Sequence, residues 1–306
     1  MLNPIFTEDI ILHDVFSNTD TILRNRQFSA TVLAPWRRSN TSRNSIIIHD
    51  TDSRKKYVLT SIFSYSGNKL LNNPYIPPYW EQKAIKELLV SQTGEVKTIN
   101  QERLPYFWAP FIGHQCILDI EDVKKNNVIS DFSKAYLLAT QKTMHTSKQC
   151  IEALNEVCFL KINQSADMEF LINISNKIKK KLPGEFIASW CHGDLWVKDI
   201  FVKEKGFTVI DWEWCTPSAP AGMDILDLIC YNQWPKWELL LSNFANNKGD
   251  GEVLHNIEYF RETTLEYRKA FNIFFVYRAI ARAVAQEGVC RVTRNKIYQK
   301  MINFIN

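Results

Sequence analysis

The chain has 306 residues, 45% hydrophobic and 12% aromatic, which is enough apolar surface for a buried core and excludes a disordered chain. Its 37 Lys and Arg against 33 Asp and Glu leave a formal charge of +4, too small at this length for the broad basic footprint of a nucleic-acid binder. Seven cysteines, an odd number with no C-x-x-C pair, fit free thiols in a reducing compartment better than a disulfide frame.

In chain order, residues 1–9 carry no basic segment leading into an apolar run, so no secretory signal is expected and a cytoplasmic protein is. The runs 27–33, 45–49 and 57–62 have the β-branched and aromatic content of strands. The polar segment 37–44, with Arg37 and Arg38, and the turn 49–53 are expected as their connections. After Pro77 and Pro78, residues 79–90 have helical spacing, with Ala84, Ile85, Leu88 and Leu89 on one face. The aromatic run 104–113 reads as a last strand and a hinge near residue 110. Helical periods follow at about 131–146, 149–161 and 168–181. The last of these carries Lys177, Lys179, Lys180 and Lys181 as a solvated face. More helices are expected over 222–304, and within them the apolar run 271–285 is interrupted by Arg278 and Arg282, too soon for a membrane span. No repeat or low-complexity linker appears, so two lobes are expected to pack as one unit around a cleft.

Between those helical tracts lies the segment that carries chemistry. Cys191-His192-Gly193-Asp194-Leu195 leads through Asp199 into an apolar strand-like run, and Phe207-Thr208-Val209-Ile210 leads into Asp211-Trp212-Glu213. Phosphoryl transfer asks little covalent work of a protein, but it needs carboxylates to hold magnesium against the phosphates and one to accept the hydroxyl proton. Protein kinases set a metal-binding Asn five positions beyond the catalytic Asp and place a second metal ligand after a later strand. Asp199 stands at that interval from Asp194, and Asp211 follows the strand. A lone His-Gly-Asp is most often a turn, whereas the joint pattern points to a phosphoryl-transfer centre.

The residues His192, Gly193, Asp194, Leu195, Ile210, Asp211, Trp212 and Glu213 resemble the H-G-D-L-x-x-x-N and I-D-W-E signatures of the aminoglycoside phosphotransferase and choline kinase family of small-molecule kinases. The resemblance implies an α+β, bilobal protein-kinase-like fold, with a small antiparallel-sheet N-lobe over 1–112 and a larger, mainly helical C-lobe over 113–306. It implies Asp194 as catalytic base, His192 bracing the loop, and Asp199 and Asp211 as magnesium ligands. It further implies that Asp224 or Asp227 ties the following helix to the catalytic loop. ATP or GTP would be the co-substrate, with Glu81, Thr60, Phe107 and Trp108 on the nucleotide side. Glu213, Lys198, Lys56 and Lys69 are secondary positions.

Three departures bear on function. No glycine precedes Gly67, so the loop between the first strands is not Gly-rich. Thr60 stands where the family carries a phosphate-clamping Lys, and Thr brings no positive charge. The partner of Glu81 is then Lys56, Lys69 or Arg38. Asp199 replaces the usual Asn and adds negative charge beside Asp194 and Asp211, which magnesium offsets. The sequence therefore predicts a magnesium-dependent phosphotransferase acting on a hydroxyl of a small molecule: a sugar, a glycan intermediate or an amino-alcohol. The alternative is a degenerate kinase fold that binds a nucleotide, glycan or protein without efficient transfer.

Overall fold

A computed structural model describes residues 28–32, 36–38, 41–50, 56–64, 97–100, 105–110, 116–139, 142–159, 161–162, 164–202, 206–209, 214–231, 234–248, 260 and 263–306. The chain divides into two units, each with its own packing. The strands between residues 28 and 110 belong to the first, and the described residues from Cys116 onward belong to the second. The whole is α+β, with an antiparallel sheet in the first unit and a mainly helical second unit.

The first unit holds six strands: β1 (Phe28–Val32), β2 (Trp36–Arg38), β3 (Thr41–Asp50), β4 (Lys56–Ser64), β5 (Lys97–Asn100) and β6 (Pro105–Pro110). They pair antiparallel in the order β1-β3-β4-β6-β5, with β2 also on β3. The β-branched run Ile46-Ile47-Ile48 sits at the centre of β3 and pairs on both sides, as such residues favour. The polar segment 37–44 is not a plain connection: Arg37 and Arg38 lie in β2, and β3 already begins at Thr41, opposite Arg38. Ladder pairing in the hairpin outweighs the low strand propensity of Ser and Asn there. Strand β5, short and polar, has too little alternation to be read from sequence, and it lies at the sheet edge where Lys97 suits it. The expected helix 79–90 lies outside the described residues.

The second unit is built from helices α1 (Asp122–Ala139), α2 (Ser147–Phe159), α3 (Ser165–Ile178), α4 (Met223–Tyr231), α5 (Trp237–Asn246), α6 (Leu265–Glu287), α7 (Val289–Val292) and α8 (Lys296–Ile305). A three-stranded sheet, β11 (Thr216–Pro220), β8 (Glu185–Cys191) and β7 (Thr143–Thr146), and a hairpin of β9 (Ile200–Val202) with β10 (Phe207–Val209) complete it. The helical period expected over 131–146 ends early. Thr143–Thr146 is a strand because it pairs with β8 from Thr143 opposite Ala188 to Thr146 opposite Glu185, and that pairing overrides local preference.

Helix α6 is the axis of the core. Thr264 caps it, its hydroxyl accepting from the Tyr267 amide at 3.1 Å, and Gly288 ends it at a positive φ. Phe271, Phe274, Phe275 and Tyr277 are completely buried, and the Phe274 ring meets Phe186 of β8 edge-on at 6.0 Å. Each such ring contributes about 1.5–3 kcal/mol by burial. Since β8 feeds directly into the His-Gly-Asp segment, packing of β8 on α6 places that segment against one face of α6. Of the lysine cluster, Lys177 donates to the Asn306 side chain and Lys181 to the Ile305 and Asn306 carbonyls, so both are tied to the end of α8. Among the described residues no helix is long and apolar enough to cross a membrane, and all seven cysteines are free thiols.

Candidate active site

The loop after β8 turns on one glycine. Gly193 has φ +84°, and a Cβ there would stand 2.2 Å from the Trp214 carbonyl oxygen, so only glycine permits this turn. His192 beside it is completely buried, and its Nδ1 lies 3.4 Å from the Asp194 amide, as a loop brace would. A 3₁₀ turn over Val197–Asp199 then leads into β9. Apolar Leu195 and Val197 are buried and anchor the loop, while the neighbouring Asp194 keeps 20% of its side-chain surface exposed.

Asp224, in the first turn of α4, holds the loop from below. Its Oδ2 accepts from the His192 amide at 2.7 Å and from the Tyr136 hydroxyl at 2.7 Å. Its Oδ1 accepts from the Gly193 amide at 3.0 Å and the Cys191 thiol at 3.0 Å. Hydrogen bonds to a carboxylate are about twice as strong as neutral ones, and here two of them fix consecutive backbone amides. Burial, then the Asp224 charge, pushes the Tyr136 hydroxyl and the Cys191 thiol well up, so both stay protonated donors.

Two arginines one helical turn apart on α6 complete the cluster. Arg278, 3% exposed, pairs with Asp227 at 2.5 Å and stands 3.6 Å from Asp224. Arg282 Nη2 pairs with Asp194 Oδ1 at 2.5 Å, and its Nη1 donates to the Gly193 carbonyl at 2.6 Å. Burial acts to lower both guanidinium pKa values, but for each the nearby carboxylates prevail and the net direction is upward. Asp227 goes the other way from an ordinary paired carboxylate: burial raises it to about 6, against the pull of Arg278 and Arg282.

Arg278, Arg282 and Tyr136 were not expected at the site, the two arginines being read only as charges that interrupt an apolar run. The available signal was the pair of charges four residues apart in an apolar helix, which places both on one face. Asp194, His192 and Asp199 lie on the loop itself, and Asp199 is buried at 5% exposure. Lys198 lies over the Trp196 ring at 4.5 Å. Among the described residues no group of three acidic, His or Cys side chains is arranged to hold a metal ion. Asp211, Glu213, Glu81 and Lys69 lie outside them. In the sheet of the first unit, Thr60 of β4 stands opposite Phe107 and next to the pair of Leu59 with Trp108.

No family model and no curated protein sequence matches the chain, but solved structures do. The aminoglycoside phosphotransferase APH(4)-Ia is similar at 8% identity with a TM-score of 0.57, covering 97% of each chain. A thermostable mutant of that enzyme, in a ternary complex with ADP and hygromycin B, matches with a TM-score of 0.58. An ethanolamine kinase from Plasmodium vivax is similar at 12% identity and a TM-score of 0.55, over 97% of this chain and 85% of its own. Choline kinase from Cryptosporidium parvum is similar at 9% identity and a TM-score of 0.55, over 98% and 94%. The chain therefore has the kinase-like fold of the aminoglycoside phosphotransferase, ethanolamine kinase and choline kinase structures.

Proposed function

We propose that the protein is a phosphotransferase that moves the γ-phosphoryl group of ATP or GTP to a hydroxyl of a small molecule. The observation that carries this reading is the loop from His192 to Asp199. Its acid at 194 is oriented by Arg282, and its backbone is pinned by Asp224. In the reaction the acceptor oxygen forms a bond to the γ-phosphorus while the bond to the β-phosphate oxygen breaks. The acceptor proton goes to Asp194, and the nucleoside diphosphate leaves. Arg282 limits the motion of the base, and Asp224 keeps the His192 and Gly193 amides from relaxing. Such positioning is the main part of catalysis in phosphoryl transfer.

Asp199 is a hard oxygen donor of the kind magnesium takes, and Asp199 and Asp211 would hold the ion. When bound it offsets the charge of the phosphates. Thr60, Phe107, Trp108 and Glu81 are the nucleotide-side residues of this reading, with Lys56, Lys69, Lys198 and Glu213 secondary. The seven free thiols are compatible with the reducing cytoplasm.

A second reading, a kinase-fold binder without efficient transfer, is favoured by one observation. Thr60 occupies β4, where the family resemblance implies a phosphate-clamping Lys. Melting temperatures with ATP and GTP, each with and without magnesium, separate the two. A magnesium-dependent rise, equivalent to about 2.7 kcal/mol at a hundredfold excess over Kd, is expected for the enzyme. No nucleotide response, or one indifferent to magnesium, sinks the transfer reading and leaves the binder.

A further inference from the structure

Between Asp194 and Asp199 the loop alternates. Leu195, Val197 and Asp199 are buried, whereas Asp194, Trp196 and Lys198 each keep part of their side chains exposed. The backbone accounts for this. Trp196 is extended, with φ −132° and ψ 156°, so the side chains of its two neighbours point away from its own. In the 3₁₀ turn that follows, three residues complete one circuit. Val197 and Asp199 take the inward places, and Lys198 is left with the outward one. Its side chain folds back along the loop, and the ammonium lies over the Trp196 ring at 4.5 Å from the centroid. That ring is anchored, because its Nε1 is buried.

Among the described residues Lys198 forms no ion pair and donates no hydrogen bond, although acids stand at 194 and 199 on the same loop. Arg282, which also reaches the loop, is already committed: its guanidinium meets Asp194 and the Gly193 carbonyl. An aromatic face attracts an ammonium without using up its three N–H donors. Lys198 is therefore a cation held in place beside the base and still able to bind an anion.

We propose that Lys198 holds the transferred phosphoryl group, from the γ-position of the nucleotide to the acceptor oxygen. The proposal rests on the phosphotransferase reading, and it gives that site the positive charge which Thr60 does not bring. During transfer the negative charge is spread over the three equatorial oxygens of the phosphoryl group. An ammonium on a four-carbon stem is a point charge that can follow the phosphorus as one bond breaks and the other forms. The rigid fork of an arginine, fixed on two partners as Arg282 is, cannot.

The test is calorimetry of the full-length protein with ATP and with ADP, both in magnesium, on the parent and on variants at 198. Lys198→Met keeps an unbranched stem on Trp196 and removes the charge. It is expected to weaken ATP about tenfold and to leave ADP within about twofold, since only ATP carries the phosphoryl group in question. Lys198→Arg, which restores the charge, should recover most of the ATP affinity. Each variant should melt as the parent does without nucleotide, because the turn is anchored by Leu195 and Val197 and not by Lys198. Lys198→Gln repeats the measurement should the methionine variant melt lower. ATP affinity unchanged on loss of the charge, ATP and ADP weakened alike, or an arginine variant no better than the methionine one overturns the proposal. In each of those cases nucleotide binding by the parent leaves the phosphotransferase reading standing. A parent that binds neither nucleotide overturns both.

Discussion

Gly193 and Asp194 show how closely chemistry and backbone are joined in this loop. The Trp214 carbonyl fills the space a Cβ would need at 193. Gly193→Ala is therefore expected to displace the loop at a cost of about 1–3 kcal/mol, measured by urea unfolding; a variant as stable as the parent would contradict the geometry. Asp194→Asn keeps the shape and removes the proton acceptor. Turnover should fall about 10²-fold or more with the melting temperature nearly unchanged, and equal turnover by mutant and parent would remove Asp194 from the mechanism. The motif itself was legible because its members lie close together in the chain, and residue type plus spacing suffice to propose a base with a metal ligand five positions on. Arg282 was not, because its meaning depends on α6 lying against a loop 88 residues earlier in the chain. In the sequence it is only a charge that interrupts an apolar run.

Helix α6 carries most of what the elements contribute. One row of its residues supplies the buried aromatic core, and another supplies the guanidinium groups that meet Asp194, Asp224 and Asp227. A buried pair broken on one side leaves an uncompensated charge, so Arg278→Ala should destabilise the fold by about 3–5 kcal/mol. Denaturant unfolding checks this; a loss under about 1 kcal/mol would mean that water already reaches the pair. Helices α2 and α3 were legible from 3.6-residue spacing, give or take a turn at the ends, whereas α6 fell only within the general expectation of helices over 222–304. Thr143–Thr146 and Lys97–Asn100 were not, since each is a strand only because a neighbour offers it a ladder. The same holds for Thr41–Asn44, a polar stretch drawn into β3 by its hairpin partner.

For the molecule as a whole, the buried cluster couples stability to pH. An unfolded Asp releases its proton at about 3.9, whereas the folded Asp227 does so at about 6. Between these values the native state binds more protons than the unfolded chain. The stability owed to this carboxyl is thus fully present below about pH 4 and is lost as pH rises through about 6. A carboxyl-carbon NMR titration of Asp227 should show a midpoint near that value, and a midpoint near 4 would show that Arg278 outweighs burial. The α+β division was legible because strand-like runs precede the helical periods in the chain. The role the resemblance implies for Asp211 is open to direct measurement, by calorimetry of ATP and GTP with magnesium on the parent and on Asp211→Ala. The phosphotransferase account predicts nucleotide binding in the parent, weakened at least about tenfold by the substitution; no binding by the parent, or the same affinity in both proteins, would contradict it.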